Sequence, residues 1–200
     1  MTDMDIMKMV RTQAEESAAV KARLLEDAAL MEKVAEVADL LCRTYRNGHK
    51  TLWAGNGGSA ADAQHMVGEL VNKFYFDRPG IPAMALTTNG SLLTAIGNDY
   101  AYDKVFSKQI EGCGAAGDVF IGISTSGNSA NLVDVLDICK QKGIWTVALV
   151  GAKPCRMDAY DYVIHIPSEV TPRIQECQTL IGHILCSVVE EAMFGKDRNL

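Results

Sequence analysis

Short apolar runs alternate with helical patterns along most of this 200-residue chain, and this alternation constrains the fold more than any other feature. The runs typical of buried strands cover residues 50–54, 82–86, 118–123, 145–150 and 162–166. The helical patterns cover residues 59–74, 91–96, 103–112, 131–142 and 172–194. Strands separated by helices pair in parallel through crossover connections. The sequence therefore predicts an α/β fold, with a doubly wound, five-stranded parallel sheet flanked by helices.

Residues 3–48 form a helical segment that precedes this alternation and ends at Asn47-Gly48. It carries many apolar side chains near its start, including Met4 and Met7. The segment either covers one face of the sheet or takes part in a helical bundle between subunits, and we favour the bundle because apolar faces usually mark partners. No linker or repeat interrupts the chain, so we expect residues 1–200 to form a single domain.

Bulk properties exclude several functional classes. The net charge is −6 with scattered basic residues, which argues against a nucleic-acid partner. No apolar run is long enough to span a membrane, and the first residues do not resemble a signal peptide, so we expect a cytoplasmic location. The six cysteines include no Cys-x-x-Cys pair, which favours free thiols in a reducing compartment.

The segment Ser124-Thr125-Ser126-Gly127-Asn128-Ser129 lies between a predicted strand and a predicted helix. Free backbone N–H groups and the helix dipole attract anions at such a place, and the hydroxyls add neutral donors. The segment lacks the lysine of the nucleotide-binding P-loop. It is either a binding site for one phosphate group of a small molecule or a serine-rich capped turn.

A second turn of this kind, Gly55-Asn56-Gly57-Gly58-Ser59-Ala60, follows the first predicted strand. Its glycines fit a dinucleotide-binding pattern, but Asp77, at the expected distance for the ribose contact, lies before the next strand rather than after it. We therefore disfavour a dinucleotide. Asn56, Gly57 and Gly58 are better placed to contact a sugar or its phosphate, because ligands bind beyond the carboxyl ends of parallel strands.

Three side chains could carry chemistry. His65 and Glu69 are four residues apart on the helix after the glycine turn and share a face. His183 lies in an apolar stretch of the last helix, where it is either a core histidine or a catalytic one. His49 and His165 are interpreted as structural.

Four motifs occur in order along nearly the whole chain: Gly55-Asn56-Gly57-Gly58-Ser59, Gly97-Asn98-Asp99, the Ser124 to Ser129 segment and Arg173-Ile174-Gln175-Glu176. Together they resemble the sugar isomerase (SIS) family and, within it, the phosphoheptose isomerases. The resemblance implies an enzyme that converts sedoheptulose 7-phosphate to D-glycero-D-manno-heptose 7-phosphate, a precursor of the heptose in bacterial lipopolysaccharide and capsule.

The resemblance further implies a homotetramer and a bound zinc ion. It implies a metal set formed by His65, Glu69, Gln175 and His183, of which Glu69 and His183 would be catalytic. The implied substrate-binding residues are Asn56, Gly57, Gly58, Glu69, Asn98, Asp99, Ser124, Thr125, Ser126, Ser129 and Gln175. Some members of the family have an acidic residue where this chain has Pro172, so that position receives no role.

The implied chemistry moves a proton between two carbons through an enediol. Glu69 would be the base, His183 the second acid/base group, and zinc would polarise the carbonyl; whether Glu69 is base, ligand or both stays open. Gln175 and His183 are about 12 Å apart along one helix. If both serve one site, they come from different subunits or one lies outside the ligand set. We therefore predict a site completed across a subunit interface.

Two alternatives remain at this point. One is a non-catalytic protein-binding module like the DnaA initiator-associating proteins, which share the fold but lack counterparts of Glu69 and His183. The other is a different sugar-phosphate isomerase of the same fold, which would share the phosphate site and differ in its acid/base residues.

Overall fold

A computed structural model describes residues 3–197. Met1, Thr2 and residues 198–200, which belong to the predicted domain and to the C-terminal tail, lie outside the described residues. The helices are α1 Asp3–Glu26, α2 Ala28–Arg46, α3 Gly58–Val71, α4 Gly90–Asp99, α5 Ser107–Cys113, α6 Ala130–Val133, α7 Val135–Lys142 and α8 Thr171–Phe194. The strands are β1 Thr51–Gly55, β2 Ala83–Ala85, β3 Val119–Ile123, β4 Trp145–Val150 and β5 Tyr162–His165. Within residues 3–197, no helix has both the length and the apolarity needed to cross a membrane.

The five strands form one sheet in the order β2-β1-β3-β4-β5, and all neighbouring pairs are parallel. This confirms the predicted α/β class and parallel sheet. The strand order reverses between β1 and β3, which is the position where open α/β sheets bind ligands. Gly55 pairs with Ile123, so β1 and β3 end level with one another. The sheet therefore brings the glycine turn and the serine-rich segment side by side.

Helices cover both faces of the sheet, as expected of a doubly wound fold. Successive strand residues point to opposite faces. Thus Trp53 and Ile121 pack in a core with α2, α3 and α8, whereas Leu52 and Phe120 pack in a second core with α5 and α7. All four of these side chains are fully buried, which explains why the strands read as continuous apolar runs.

The sequence left open whether the N-terminal helices cover the sheet or form a bundle between subunits, and α1 and α2 differ in this respect. The buried side chains of α2, such as Val37 and Leu41, belong to the core on one sheet face. The first turns of α1 instead leave large apolar side chains exposed to solvent: Met4, Ile6, Met7, Met9 and Val10. Covering the sheet therefore accounts for α2 but not for the start of α1.

Four predicted helices differ from the observed ones. Helix α3 ends at Val71, because the following segment turns back towards α8. Helix α4 continues to Asp99, so Asn98 and Asp99 lie in its last turn. The predicted helix 103–112 is a 3-10 turn followed by α5. The predicted helix 131–142 is divided into α6 and α7 at Asp134, whose carboxylate contacts Lys104 and Ser107.

Candidate active site

Side-chain amides join the loop after β1 to α6, the short helix that follows β3. Asn56 donates to Asn131 Oδ1 at 3.0 Å, and Asn131 donates back to Asn56 Oδ1 at 2.9 Å. The Tyr102 hydroxyl also donates to Asn56 Oδ1, at 3.2 Å. Asn131 is almost fully buried, so these bonds fix the orientation of the Asn56 amide at the switch point. Sequence reasoning missed Asn131 and Tyr102, since their roles depend on how distant loops meet.

The serine-rich segment forms a compact loop in which Ser126 is exposed to solvent and Thr125 and Ser129 are half-buried. Ser124 is buried and accepts a hydrogen bond from the backbone N–H of Gly127 at 3.1 Å, and Ser126 accepts one from the N–H of Asn128 at 3.2 Å. Gly127 has a φ of +62°, a conformation that favours glycine. The helix after this loop is only four residues long, so the helix dipole contributes less than the sequence suggested. An anion bound here would therefore depend on the hydroxyls, because the N–H groups of Gly127 and Asn128 are already bonded to Ser124 and Ser126.

Helices α3 and α8 lie side by side with the same direction and a nearly constant sequence offset. Thr179 donates to Asp62 at 2.9 Å, and one turn further His183 faces His65; the offsets are 117 and 118 residues. Gly182 allows this approach, because a Cβ there would lie 2.3 Å from Sδ of Met66. The close contact of the two helices places their polar side chains next to each other.

His65, Glu69 and His183 form one cluster within a single chain. The His65 Nε2 atom is 3.1 Å from Glu69 Oε1 and 3.4 Å from His183 Nε2, and the ligand atoms all lie within 4.8 Å. Two atoms that bind zinc tetrahedrally at about 2.0–2.1 Å are about 3.3–3.4 Å apart. The contacts of His65 with Glu69 and with His183 have this spacing, and two imidazoles with a carboxylate are ligands that zinc accepts, so the donor set fits a divalent metal ion such as zinc once Glu69 and His183 approach each other. His183 is half-buried and its Nε2 contacts His65, which favours the functional interpretation over a core histidine.

Asp62 lies one turn before His65 on the same helix face. Burial raises the pKa of this carboxyl, and the Thr179 hydroxyl and the two nearby histidines, His65 and His183, partly oppose that shift. Asp62 is therefore a further acidic group beside the cluster. Its spacing of three residues before His65 is the signal by which the sequence could have indicated it.

Gln175 lies apart from the cluster in the same chain. Its Nε2 would be 2.7 Å from a Cβ at Gly58, so it packs against the start of α3, two turns before His65. Glu69 and His183 come together in one chain, so the contact between them needs no second subunit. Of the four predicted metal residues, Gln175 is the one that lies against Gly58 rather than beside His65.

Asn98 and Asp99 lie at the exposed end of α4. Asn98 donates to Asp99 at 2.9 Å, and the chain then leads to Tyr102 at the Asn56 amide. Asn98 and Asp99 therefore lie three to four residues before Tyr102, which contacts the loop after β1, and they are not part of the histidine cluster.

The fold and the site define an α/β protein with a serine-rich loop at the switch point of its sheet and a cluster of His65, Glu69 and His183 on the adjacent helix pair. Residues 14–151 match the SIS domain family model. A phosphoheptose isomerase of Aneurinibacillus thermoaerophilus is 53% identical over 92% of this chain and 94% of its own length. Phosphoheptose isomerase 2 of Campylobacter jejuni is 54% identical over 90% of each chain.

A solved structure of a phosphoheptose isomerase from Francisella tularensis superimposes with a TM-score of 0.88 at 32% identity, covering 96% of this chain and all of that one. The chain therefore belongs to the SIS domain family and, within it, to the phosphoheptose isomerases. It is an enzyme acting on a sugar phosphate, which sets aside the non-catalytic binding module.

Proposed function

We propose that this enzyme converts sedoheptulose 7-phosphate to D-glycero-D-manno-heptose 7-phosphate, as a step towards bacterial surface heptose. The observation that carries the proposal is that His65 and Glu69 of α3 meet His183 of α8, with ligand atoms within 4.8 Å of one another. A carboxylate and an imidazole close to each other, here Glu69 and His183 within 4.8 Å, are the groups that an aldose–ketose isomerisation needs.

The serine-rich loop binds the phosphate in this proposal. Thr125 and Ser126 line a small cavity of about 280 Å³ together with Asn128 and residues of the loops after β4 and β5. Ser129 is half-buried, with its hydroxyl 3.4 Å from that of Ser124. Asn56, Gly57, Gly58, Asn98 and Asp99 hold the sugar hydroxyls.

Glu69 takes the proton from C1 of the ketose and returns it to C2, which converts the ketose to the aldose through an enediol. Only about a quarter of the Glu69 side chain is exposed, and its Oε1 contacts His65. His183 moves the proton between the two substrate oxygens. A zinc ion held by His65, Glu69 and His183 would polarise the substrate carbonyl and stabilise the enediolate.

We further propose that the active site is completed in a homotetramer. Within one chain, Gln175 lies against Gly58, about 10 Å along α3 from His65, and this distance is too long for it to share a ligand set with that histidine. Gln175 of another subunit would supply this contact. The exposed apolar side chains at the start of α1 support association between subunits, because such surfaces usually mark interfaces.

All six cysteines are free, which supports a reducing, cytoplasmic location for the enzyme. The competing proposal is an isomerase for another sugar phosphate. A coupled assay that compares sedoheptulose 7-phosphate with five- and six-carbon ketose phosphates tests this choice. We expect the highest kcat/KM for the seven-carbon substrate; a higher value for a shorter sugar phosphate would overturn the substrate assignment.

A further inference from the structure

An ion pair between Arg78 and Glu190 is buried behind the histidine cluster. Their side chains are 2% and 0% exposed, and Arg78 Nε donates to Glu190 Oε1 at 3.0 Å. Glu190 also accepts the backbone N–H groups of Phe74, at 2.8 Å, and Tyr75, at 2.7 Å. Both carboxylate oxygens are thus occupied by the segment that links α3 to β2.

The guanidinium of Arg78 binds the carboxyl end of α3. Its Nη2 donates to the backbone carbonyl of Glu69 at 2.8 Å, and its Nη1 donates to the carbonyl of Leu70 at 2.5 Å and of Asn72 at 3.2 Å. These are carbonyl groups at the end of a helix, where no later helical N–H can satisfy them. One of them belongs to the proposed catalytic base itself.

The ion pair is connected to His183 in two ways, through helix α8 and through Phe74. Glu190 follows His183 by seven residues on α8, which is about 10 Å of rigid helix. In addition, the Phe74 ring, whose backbone Glu190 holds, lies 5.5 Å from the His183 ring between centroids. The ion pair therefore connects the backbone of Glu69 with both the helix and the ring neighbour of His183.

We infer that Arg78 and Glu190 are positioning residues for the reaction, and that they fix the distance between Glu69 and His183. The inference rests on the proposed function of those two residues. A buried ion pair is weak evidence for a role in stability, since apolar pairs often stabilise as well. Here its hydrogen bonds converge on the two elements that carry the cluster.

The test is Glu190→Gln, with Asp118→Asn as a matched control. Asp118 is also a buried carboxylate that accepts two backbone N–H groups, from Lys50 and Ala115, and one cation, but its partners precede β1 and β3 and belong to neither α3 nor α8. Both variants keep the shape of the carboxylate and should lose similar stability in urea. Only Glu190→Gln should lower kcat, by about tenfold or more with KM changed less than about threefold, because misplacing reacting groups by an ångström can cost about a hundredfold.

A second readout does not depend on turnover. The ring-proton resonances of His183, shifted by the adjacent Phe74 ring, should move in Glu190→Gln and stay in place in Asp118→Asn when both are compared with wild type by NMR. If the wild-type enzyme fails to isomerise sedoheptulose 7-phosphate, the proposed function is wrong. The NMR comparison of Glu190→Gln with Asp118→Asn still tests the positioning role, because it does not require turnover.

Arg78→Lys supplies an independent variant if Glu190→Gln does not fold. Lysine keeps the charge but has no planar fork with which to reach several carbonyls, so the same loss of kcat is expected. Equal kcat in Glu190→Gln and Asp118→Asn, or wild-type kcat in Arg78→Lys, overturns the inference. An unchanged His183 resonance in folded Glu190→Gln overturns it too.

Discussion

Gly182→Ala tests whether the close contact of α3 and α8 sets the geometry of the cluster. The new Cβ would lie 2.3 Å from Sδ and 3.0 Å from Cγ of Met66, whereas ordinary contacts are about 3.5–4.0 Å. Met66 is 1% exposed and packs against Cys186, so it has little room to move. Relief of the overlap requires a shift of roughly 1 Å, and because the Met66 side chain is enclosed, we expect the helices to take up part of it.

The free-energy balance of this change has two opposing parts. Overpacking of a buried site costs about 1–3 kcal/mol, and replacing a helical glycine with alanine gains about 0.5–1 kcal/mol. Gly68→Ala is the matched control, because Gly68 lies within α3 and a Cβ there meets nothing within 4 Å. We expect the free energy of unfolding of Gly182→Ala to be about 1–3 kcal/mol lower than that of Gly68→Ala.

Urea unfolding of the two variants and wild type, followed by circular dichroism, measures this difference. The assay of kcat provides the functional part, and we expect Gly182→Ala to lose about tenfold to a hundredfold, because His183 moves relative to His65. If Gly182→Ala is as stable as Gly68→Ala and turns over like wild type, the helix contact does not control the site.

Changing Ser124 and Ser126 together to alanine should mainly raise KM for the phosphorylated sugar, and an unchanged KM in steady-state assays would remove the phosphate assignment. Glu69→Gln should fold and bind substrate but lose turnover, because an amide cannot take a carbon-bound proton; near-normal kcat would show that another group is the base. Mixed Glu69→Gln and Gln175→Ala chains should regain activity after subunit exchange, because some sites then combine an intact Glu69 with Gln175 from another chain. Absence of recovery despite exchange measured by mass spectrometry would argue for a site built within one chain. Removal of metal with a chelator should lower kcat, and added zinc should restore it; full activity in metal-free protein, verified by elemental analysis, would contradict a metal role.

The strands and the two strand-end loops could be predicted from the sequence because their signals are local. The runs around Leu52 and Phe120 are apolar on both faces, as buried parallel strands require. The strand order could not be predicted, since no local sequence pattern indicates that β1 pairs with β2 on one side and with β3 on the other. That order is what brings Asn56 against Asn131.

The histidine cluster was predictable in part. The spacing of His65 and Glu69 indicates a shared helix face, but the approach of His183 depends on the packing of α8 against α3 through Gly182. The roles of Arg78 and Glu190 depend on a turn after α3 that the predicted helix, continued to residue 74, would have excluded. There, hydrogen bonds to the Glu190 side chain, more than a hundred residues away in the sequence, outweigh the local helix propensity.

Proton NMR of sedoheptulose 7-phosphate incubated with the zinc-supplied enzyme in D₂O tests the central claim most directly. An enediol route moves a proton between carbons by way of Glu69, so we predict that aldose signals appear and that the product carries solvent deuterium at C2. Glu69→Gln, folded by circular dichroism, should produce neither signal. Sedoheptulose 7-phosphate that stays unchanged with wild type, or conversion by Glu69→Gln at the wild-type rate, would contradict the account.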